Sequence, residues 1–336
     1  MLGWLAAKES REDAMKDVVR LALAAACAMG LAAPAARAQT YPTAPVRVLS
    51  GFPAGTTADI TARVVGAKMG RILGQQLVVE NRPGAASSIA ATQAARAEKD
   101  GYTLYVSSAA NMINSAMRSD LPFDILKDFE PITLLTSTPT VLAVTPALGV
   151  KSVKELIALA RQKPGAISFG SSGVASSTHL ALELFKSLAK VNIEHIPYTG
   201  SPQVVTDLLA GRLHGYFSPA STVMGHVRAG KLVALATTDP KRGTIIPDLP
   251  TMVEAGVPDC ISVLWFGLVA PAGTPRPIID RLSAAANEAL KQDEVKTALR
   301  AQSVEAHGGT PEDFRKHMAS ERKRWIAVVE AAGLRK

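Results

Sequence analysis

Apolar residues along this 336-residue chain come in short β-branched runs that alternate with longer stretches where they recur every three or four positions. The runs at 46–49, 76–79, 103–107, 140–145, 167–170, 193–196, 215–217, 232–237 and 265–270 read as strands. Between them lie helical stripes, such as Val64, Val65, Met69, Ile72 and Leu73, and then Val153, Leu156, Ile157 and Ala160 before Lys163-Pro164-Gly165 stops the second. Two late helical stretches, 277–301 and 311–332, close the chain. This alternation predicts an α/β protein with largely parallel sheets. Residues 141–264 read as a unit entered near Val141 and left near Trp265, so residues 41–140 plus 265–336 form one lobe and 141–264 the other, joined by a two-crossover hinge.

Residues 46–59 carry a more specific pattern: a short strand, a Phe52-Pro-Ala-Gly55 loop, then Thr56-Thr-Ala-Asp59 at a helix start. The first N–H groups of a helix lack intrahelical partners and sit at the positive end of its dipole, so an anion is stabilised there. Gly55 permits close backbone approach, the two threonines offer hydroxyls, and Asp59 can order the turn. An ordinary turn capped by Thr57 or Asp59 fits the same residues. Residues 167–180 repeat the plan, with Gly170-Ser-Ser-Gly173 leading into Ser176, Ser177, Thr178 and His179. Two such helix starts can face each other across a cleft.

The N-terminal segment reads as an address. From Met15 a basic start leads into an apolar stretch, 21–36, and Ala36-Arg37-Ala38 supplies small residues for a cut after Ala38. Residues 1–38 therefore read as a secretory signal leading to the periplasm. Glu9, Glu12 and Asp13 suit its start poorly, which places the expected start of translation at Met15. A lipoprotein cut at Cys27 is the alternative, but Ala24 stands where such a signal prefers Leu. After removal of residues 1–38 the net charge of +8 falls only to about +7. The basic residues are scattered apart from Arg322-Lys-Arg324, and aromatics are few, so no nucleic-acid groove is indicated. Only Cys260 would remain, which excludes an internal disulfide.

Catalytic patterns are absent from the sequence. No Gly-x-Ser-x-Gly pentad exposes a nucleophile, and Gly225-His-Val-Arg-Ala-Gly-Lys231 mimics a phosphate loop but ends in Leu232 where Mg²⁺ requires a hydroxyl. His179 and Glu183 share a helix face, yet the sequence places no second His or Cys near them, and His195 reads as a strand residue; no metal site is expected. No cofactor is expected either.

Seven motifs occur in order: Phe52-Pro-Ala-Gly-Thr-Thr-Ala-Asp59, Glu80-Asn-Arg-Pro-Gly84, Asp100-Gly-Tyr-Thr-Leu104, Leu121-Pro-Phe-Asp124 with Asp128-Phe-Glu-Pro-Ile132, Gly170-Ser-Ser-Gly173 with His179-Leu180, Pro197-Tyr-Thr-Gly200, and Ala270-Pro-Ala-Gly-Thr-Pro275. Each alone is common; the ordered set resembles the Bug or TctC family of tripartite tricarboxylate transporter receptors, over residues 41–334. That resemblance implies a two-lobed, type II periplasmic-binding-protein fold, each lobe a mostly parallel sheet flanked by helices. It implies a non-catalytic, monomeric receptor that holds a small carboxylate between its lobes and presents it to a membrane permease. The first-lobe contacts it implies are Phe52, Ala54, Gly55, Thr56, Thr57 and Asp59, with Ser107, Ser108, Ala109 and Asn111 as further candidates. In the second lobe they are Ser171, Ser172, Gly173, Ser176, Ser177, Tyr198, Thr199 and Gly200. The chain departs from the family pattern at Thr56, where a glycine is usual, at Gly84-Ala-Ala-Ser-Ser88, and at His214 and Ser218, which bear on the distal ligand contacts. A periplasmic enzyme acting on a carboxylated or aromatic substrate, or a signalling receptor that docks a sensor protein, are the rival readings.

Overall fold

Strands and helices alternate in the computed structural model as the apolar pattern predicts, and they assemble into two sheets flanked by helices. Residues 41–174 and 176–331 are described, together with Met15; the remainder of the expected signal segment and its cut site lie outside the described residues. The chain from Ala44 onward forms one unit. Its first sheet contains β1 (Val46–Ser50), β2 (Leu77–Asn81), β3 (Thr103–Ser108), β4 (Phe129–Thr138), β10 (Leu264–Pro271) and β11 (Glu305–Ala306), in the order β11-β4-β10-β3-β1-β2. The second holds β5 (Thr140–Val144), β6 (Ser168–Ser171), β7 (Glu194–Pro197), β8 (Gly215–Pro219) and β9 (Val233–Thr237), in the order β7-β6-β8-β5-β9. The helices are α1 (Thr57–Leu73), α2 (Ser88–Ala95), α3 (Ala109–Met117), α4 (Val153–Gln162), α5 (Ser177–Ala189), α6 (Ser201–Leu209), α7 (Ala220–Arg228), α8 (Arg276–Lys291), α9 (Asp293–Ala301) and α10 (Pro311–Ala331). Among the described residues no helix is long and apolar enough to cross a membrane.

The sheets are mixed. Among the described strands, parallel ladders are confined to β2-β1-β3 and β7-β6-β8, where a helix returns the chain; β10 runs antiparallel to β3 and β4, and β5 to β8 and β9. The expected predominance of parallel strands fails because β5 and β10 enter from the opposite sheet with no intervening helix to reverse them. The chain crosses from first sheet to second at Pro139 and returns through residues 238–263. The crossings are bonded to each other: Thr238 N–H donates to the Thr140 carbonyl (2.9 Å), Ser262 N–H to the Thr238 carbonyl (3.0 Å), and Thr238 Oγ1 to the Ser262 carbonyl (2.6 Å).

Burial follows the sequence periodicities. In α1 the residues Ala58, Ala62, Val65, Met69 and Leu73 are buried at helical spacing, and Gly74 closes the helix in the left-handed region with its N–H on the Gly70 carbonyl. In the second sheet alternate residues feed opposite cores: Leu142, Val144 and Phe217 pack with Phe169 and Phe185, whereas Val141, Ala143 and Tyr216 pack with Val204, Leu208 and Val223. The continuous helix expected over 277–301 is broken at Gln292, whose extended backbone ends α8 and starts α9. Asp293 and Glu294 then occupy the favourable first turn of α9.

The ten-residue β4 was not foreseen. It contains Pro131, which cannot donate to a ladder, but β11 pairs only with Ser137 and Thr136, so Pro131 lies where β4 is a free edge. In β10, Gly267 lies under the Phe314 ring: a Cβ there would come within 2.0 Å of Phe314 Cζ. Gly267→Ala is therefore expected to destabilise the fold by about 1–3 kcal/mol through overpacking, read as a lower urea midpoint at unchanged slope.

Candidate functional site

The first loop is held by one buried carboxylate. Asp59 Oδ2 accepts the Gly55 N–H (3.0 Å), and Oδ1 accepts from Asn81 Nδ2 (3.0 Å) and Arg63 Nε (2.8 Å). Asn81 Nδ2 also donates to the Phe52 carbonyl (3.0 Å), so the acid and the amide together fix both arms of the loop. Gly55 takes the left-handed conformation this turn requires, at φ +77°. The residue capping α1 is Thr56, not Thr57 or Asp59, and its hydroxyl donates to the Pro53 carbonyl (2.8 Å) rather than accepting from the helix. The helix thus starts without a side-chain cap, leaving its first N–H groups for another acceptor.

The second loop satisfies itself. Ser176 Oγ accepts the His179 N–H (3.2 Å) and caps α5, while Thr178 Oγ1 bonds Ser176 Oγ, Ser172 Oγ and the Ser172 N–H at 2.9–3.0 Å. Gly173, at φ +130°, passes so close to the Tyr198 carbonyl that a Cβ would lie 3.2 Å from it. Behind these hydroxyls, the fully buried Tyr216 bonds Ser201 Oγ (2.7 Å), and burial pushes its phenol up to about 12. Tyr198 donates to Asp207 (2.6 Å). Thr199 donates through both its N–H and its hydroxyl to Gln203 Oε1.

The loops meet. The hydroxyls of Thr57 and Ser221, at the starts of α1 and α7, share a hydrogen bond of 2.5 Å, and a Cβ on Gly200 would touch Pro53 Cγ at 3.0 Å. Leu180 of α5 belongs to the same buried cluster as Met112 and Ile113 of α3. Between the sheets lies a cavity of about 30 Å³ bounded by Phe52, Thr56, Thr57, Ala58, Ser172, Ser177, Thr178, Gly200 and Ser201, with Pro219, Leu264 and Phe266 as its apolar wall. Beside it, sharing Phe52 and Ser172, opens a cavity of about 440 Å³ bounded by residues 51–53, 83–87, 172–174 and 176, Tyr198 and Thr199. No residue lining either cavity is charged. Two further depressions, against Gly66 and Gly70 on α1 and beside Asp124 and Arg322, lie away from both loops.

The turn at 85–87 contributes an unusual backbone. Ala85, Ala86 and Ser87 are successive left-handed residues at φ +46°, +49° and +75°, held by Asn114 Nδ2, which donates to the Ala85 and Ala86 carbonyls and to Ser88 Oγ. Such strain persists where surroundings over-determine it, commonly beside functional sites. Gly51 fits against this turn, since a Cβ there would fall 1.8 Å from Ser87 Oγ.

The remaining expected residues divide. Ala54 and Gly55 are exposed at the loop tip, and Ser171 is buried with its hydroxyl 2.6 Å from His195 Nε2. Ser107, Ser108, Ala109 and Asn111 are wholly buried behind the first loop; Asn111 Oδ1 accepts from the Ser108 N–H and from Tyr105, and none of the four lines either cavity. The hydroxyls of Ser50, Ser107 and Ser108 and the Asn111 amide nitrogen have no protein partner. His214 lies at the amino end of β8, where its Nδ1 meets the Ser168 N–H at 3.1 Å, remote from the loops. Ser218 is buried, its hydroxyl on the Pro219 carbonyl. Sequence reasoning missed Thr178, Ser201, Pro219, Ser221, Leu264 and Phe266, and the only signal for them was their position at strand ends or helix starts.

Two α/β layers joined by two crossings, with strand–loop–helix units meeting around an uncharged cavity, define a two-lobed solute-binding protein. The sequence profile described as Tripartite tricarboxylate transporter family receptor matches residues 61–334, and the chain belongs to that family of periplasmic binding proteins. It is 36% identical over 306 residues to Protein BugT of Bordetella pertussis, covering 90% of this chain and 94% of that one. Among solved structures it is similar to Rpa4515 of R. palustris with adipate (35% identity, TM-score 0.84, 87% of this chain and 98% of that one). It is also similar to MatC of Rhodopseudomonas palustris with bound malate (30% identity, TM-score 0.81, 86% and 100%).

The loop bonding predicts a contrast. Asp59→Ala strands the Gly55 N–H and the Asn81 amide and is expected to cost about 2–4 kcal/mol, whereas Thr56→Ala, losing one bond to Pro53, costs about 1 kcal/mol or less. Equilibrium urea unfolding of the two variants measures the difference.

Proposed function

We propose that this chain is an exported receptor, cut after Ala38, that captures a small organic carboxylate between residues 41–140 plus 265–336 and residues 141–264 and delivers it to the membrane subunits of a tripartite tricarboxylate-type permease. The observation that carries this reading is the side-chain-uncapped start of α1 at an uncharged, hydroxyl-lined cavity. An anion received there is stabilised by the helix N–H groups and dipole without an Arg clamp, and the Thr57 hydroxyl adds a donor. Ser172, Ser177, Thr178 and Ser201 would serve the ligand's other polar end, and Phe52, Leu264 and Phe266 its apolar middle. The adipate and malate held by the two similar structures support a carboxylate of that size. The hydroxyl-lined cavity at the start of α1 has room for only a water or two, so seating a carboxylate there requires the loops to part at that point, next to the roomier cavity beside it. The reading assigns no chemistry to the site: it is that of a monomeric receptor, not an enzyme.

Titration calorimetry with a panel of mono- and dicarboxylates tests this. A binding acid should raise the melting temperature and remain unconverted; turnover without added cofactor would overturn the receptor reading. With the acid that binds, Thr57→Ala should weaken affinity about tenfold or more, the scale of a hydrogen bond to a charged group. Ser176→Ala should instead act on stability, by about 1 kcal/mol through its lost cap. Equal affinity for wild type and Thr57→Ala would remove the carboxylate from the start of α1.

A further inference from the structure

Three donor side chains converge outside the cavities. His179 and Glu183 stand one turn apart on α5, with His179 Nε2 3.7 Å from Glu183 Oε1, and β7 lays His195 against them. The two imidazoles stack with ring centres 4.1 Å apart and planes at 27°. The potential ligand atoms of the three residues all lie within 4.8 Å of one another. The topology makes this set: β7 pairs in parallel with β6, and α5 follows β6 directly, so the third donor comes from a strand distant in sequence from the i, i+4 pair. It is the expected lone pair of helix residues, completed by the strand histidine.

Two imidazoles and one carboxylate are the donor set of an open zinc site, with three protein ligands and a fourth position for water or another oxygen. Ligand atoms around a tetrahedral Zn²⁺ stand about 3.3 Å apart, given bonds of 2.0–2.2 Å, so these donors need move only by side-chain rotation. Mg²⁺ and Ca²⁺, which demand oxygen shells, do not suit it. Lys186 opposes: its ammonium is 2.8 Å from Glu183 Oε1, on a flexible, partly exposed stem that can turn to solvent. The Ser171 hydroxyl, 2.6 Å from His195 Nε2, is the nearby oxygen at the end of β6.

We propose that His179, Glu183 and His195 form a binding site for one borderline first-row divalent cation, Zn²⁺ being the probe of choice. The site does not depend on the carboxylate reading, but it adjoins the second loop through Ser171 and through the His179 N–H on Ser176. The test uses the untagged mature chain after chelator treatment, with Zn²⁺ titrated against a chromophoric chelator and Co²⁺ visible absorption reporting coordination. One equivalent should bind, with tetrahedral Co²⁺ bands. His179→Ala, His195→Ala and Glu183→Gln should each weaken Zn²⁺ by tenfold or more, with folding checked by circular dichroism. Lys186→Gln, which removes the competing ammonium, should tighten it several-fold, a result that a purely packing role for the cluster would not produce. His226→Ala and Cys260→Ser should leave it unchanged. Absence of binding at 100 µM Zn²⁺ to wild type and Lys186→Gln alike, or binding undiminished in a His179→Ala/His195→Ala double variant, would overturn the proposal.

Discussion

Because the Asp59 carboxylate, only 4% exposed, takes the Gly55 N–H on one oxygen and Asn81 and Arg63 on the other, the first loop is held from within its own lobe. An acid in the first turn of a helix would ordinarily fold back on the helix N–H groups or set a negative charge against an incoming anion. Here it does neither: its donors are a loop N–H, the Asn81 amide on β2 and the Arg63 guanidinium one turn on, none of them a helix N–H, and Arg63 offsets its charge. The direction of the Thr56 hydroxyl completes the effect, since it donates to Pro53 instead of accepting from α1. The dipole end of α1 is left to whatever enters from the cavity side.

The opposite loop follows another logic. Its helix is capped by Ser176, and its hydroxyls form a closed circuit through Thr178, so it is a prearranged polar wall more than an open acceptor site. Such asymmetry suits a ligand with one strongly anionic end and a second end recognised by neutral hydroxyls. With no charge on the lining, the proposed receptor would select by length and shape, with Phe52, Leu264 and Phe266 in one cavity and the strained turn at 85–87 in the other.

Features written locally were legible from sequence. The strand–loop–helix pattern at 46–59, the stripe of α1, the Lys163-Pro164-Gly165 stop of α4 and the second Ser-rich helix start are each fixed by neighbours within a few residues. What escaped depended on contacts between distant segments. Strand β4 contains a proline, which the fold tolerates only because the short reach of β11 leaves Pro131 on a free edge. Gln292 gives little warning of a break, because neither proline nor glycine marks it. Thr178 and Ser201 sit at separate helix starts; only the sheet order brings them to one cavity, and sets Ser221 against Thr57 beside it. His214 misled for the converse reason: strand β8 carries it to the end away from the loops.

Gly200 and Pro53 approach each other with no room for even a methyl group at ordinary contact distance. On the receptor reading proposed above, that contact would act as a mechanical stop between the two halves of the molecule, independent of cargo. A short acid and a longer one would then bring the outer surface to the same final shape, differing only in how the interior is filled. Any docking partner that reads that outer surface receives a yes-or-no signal, so recognition of the cargo and recognition of the loaded carrier can diverge separately in evolution.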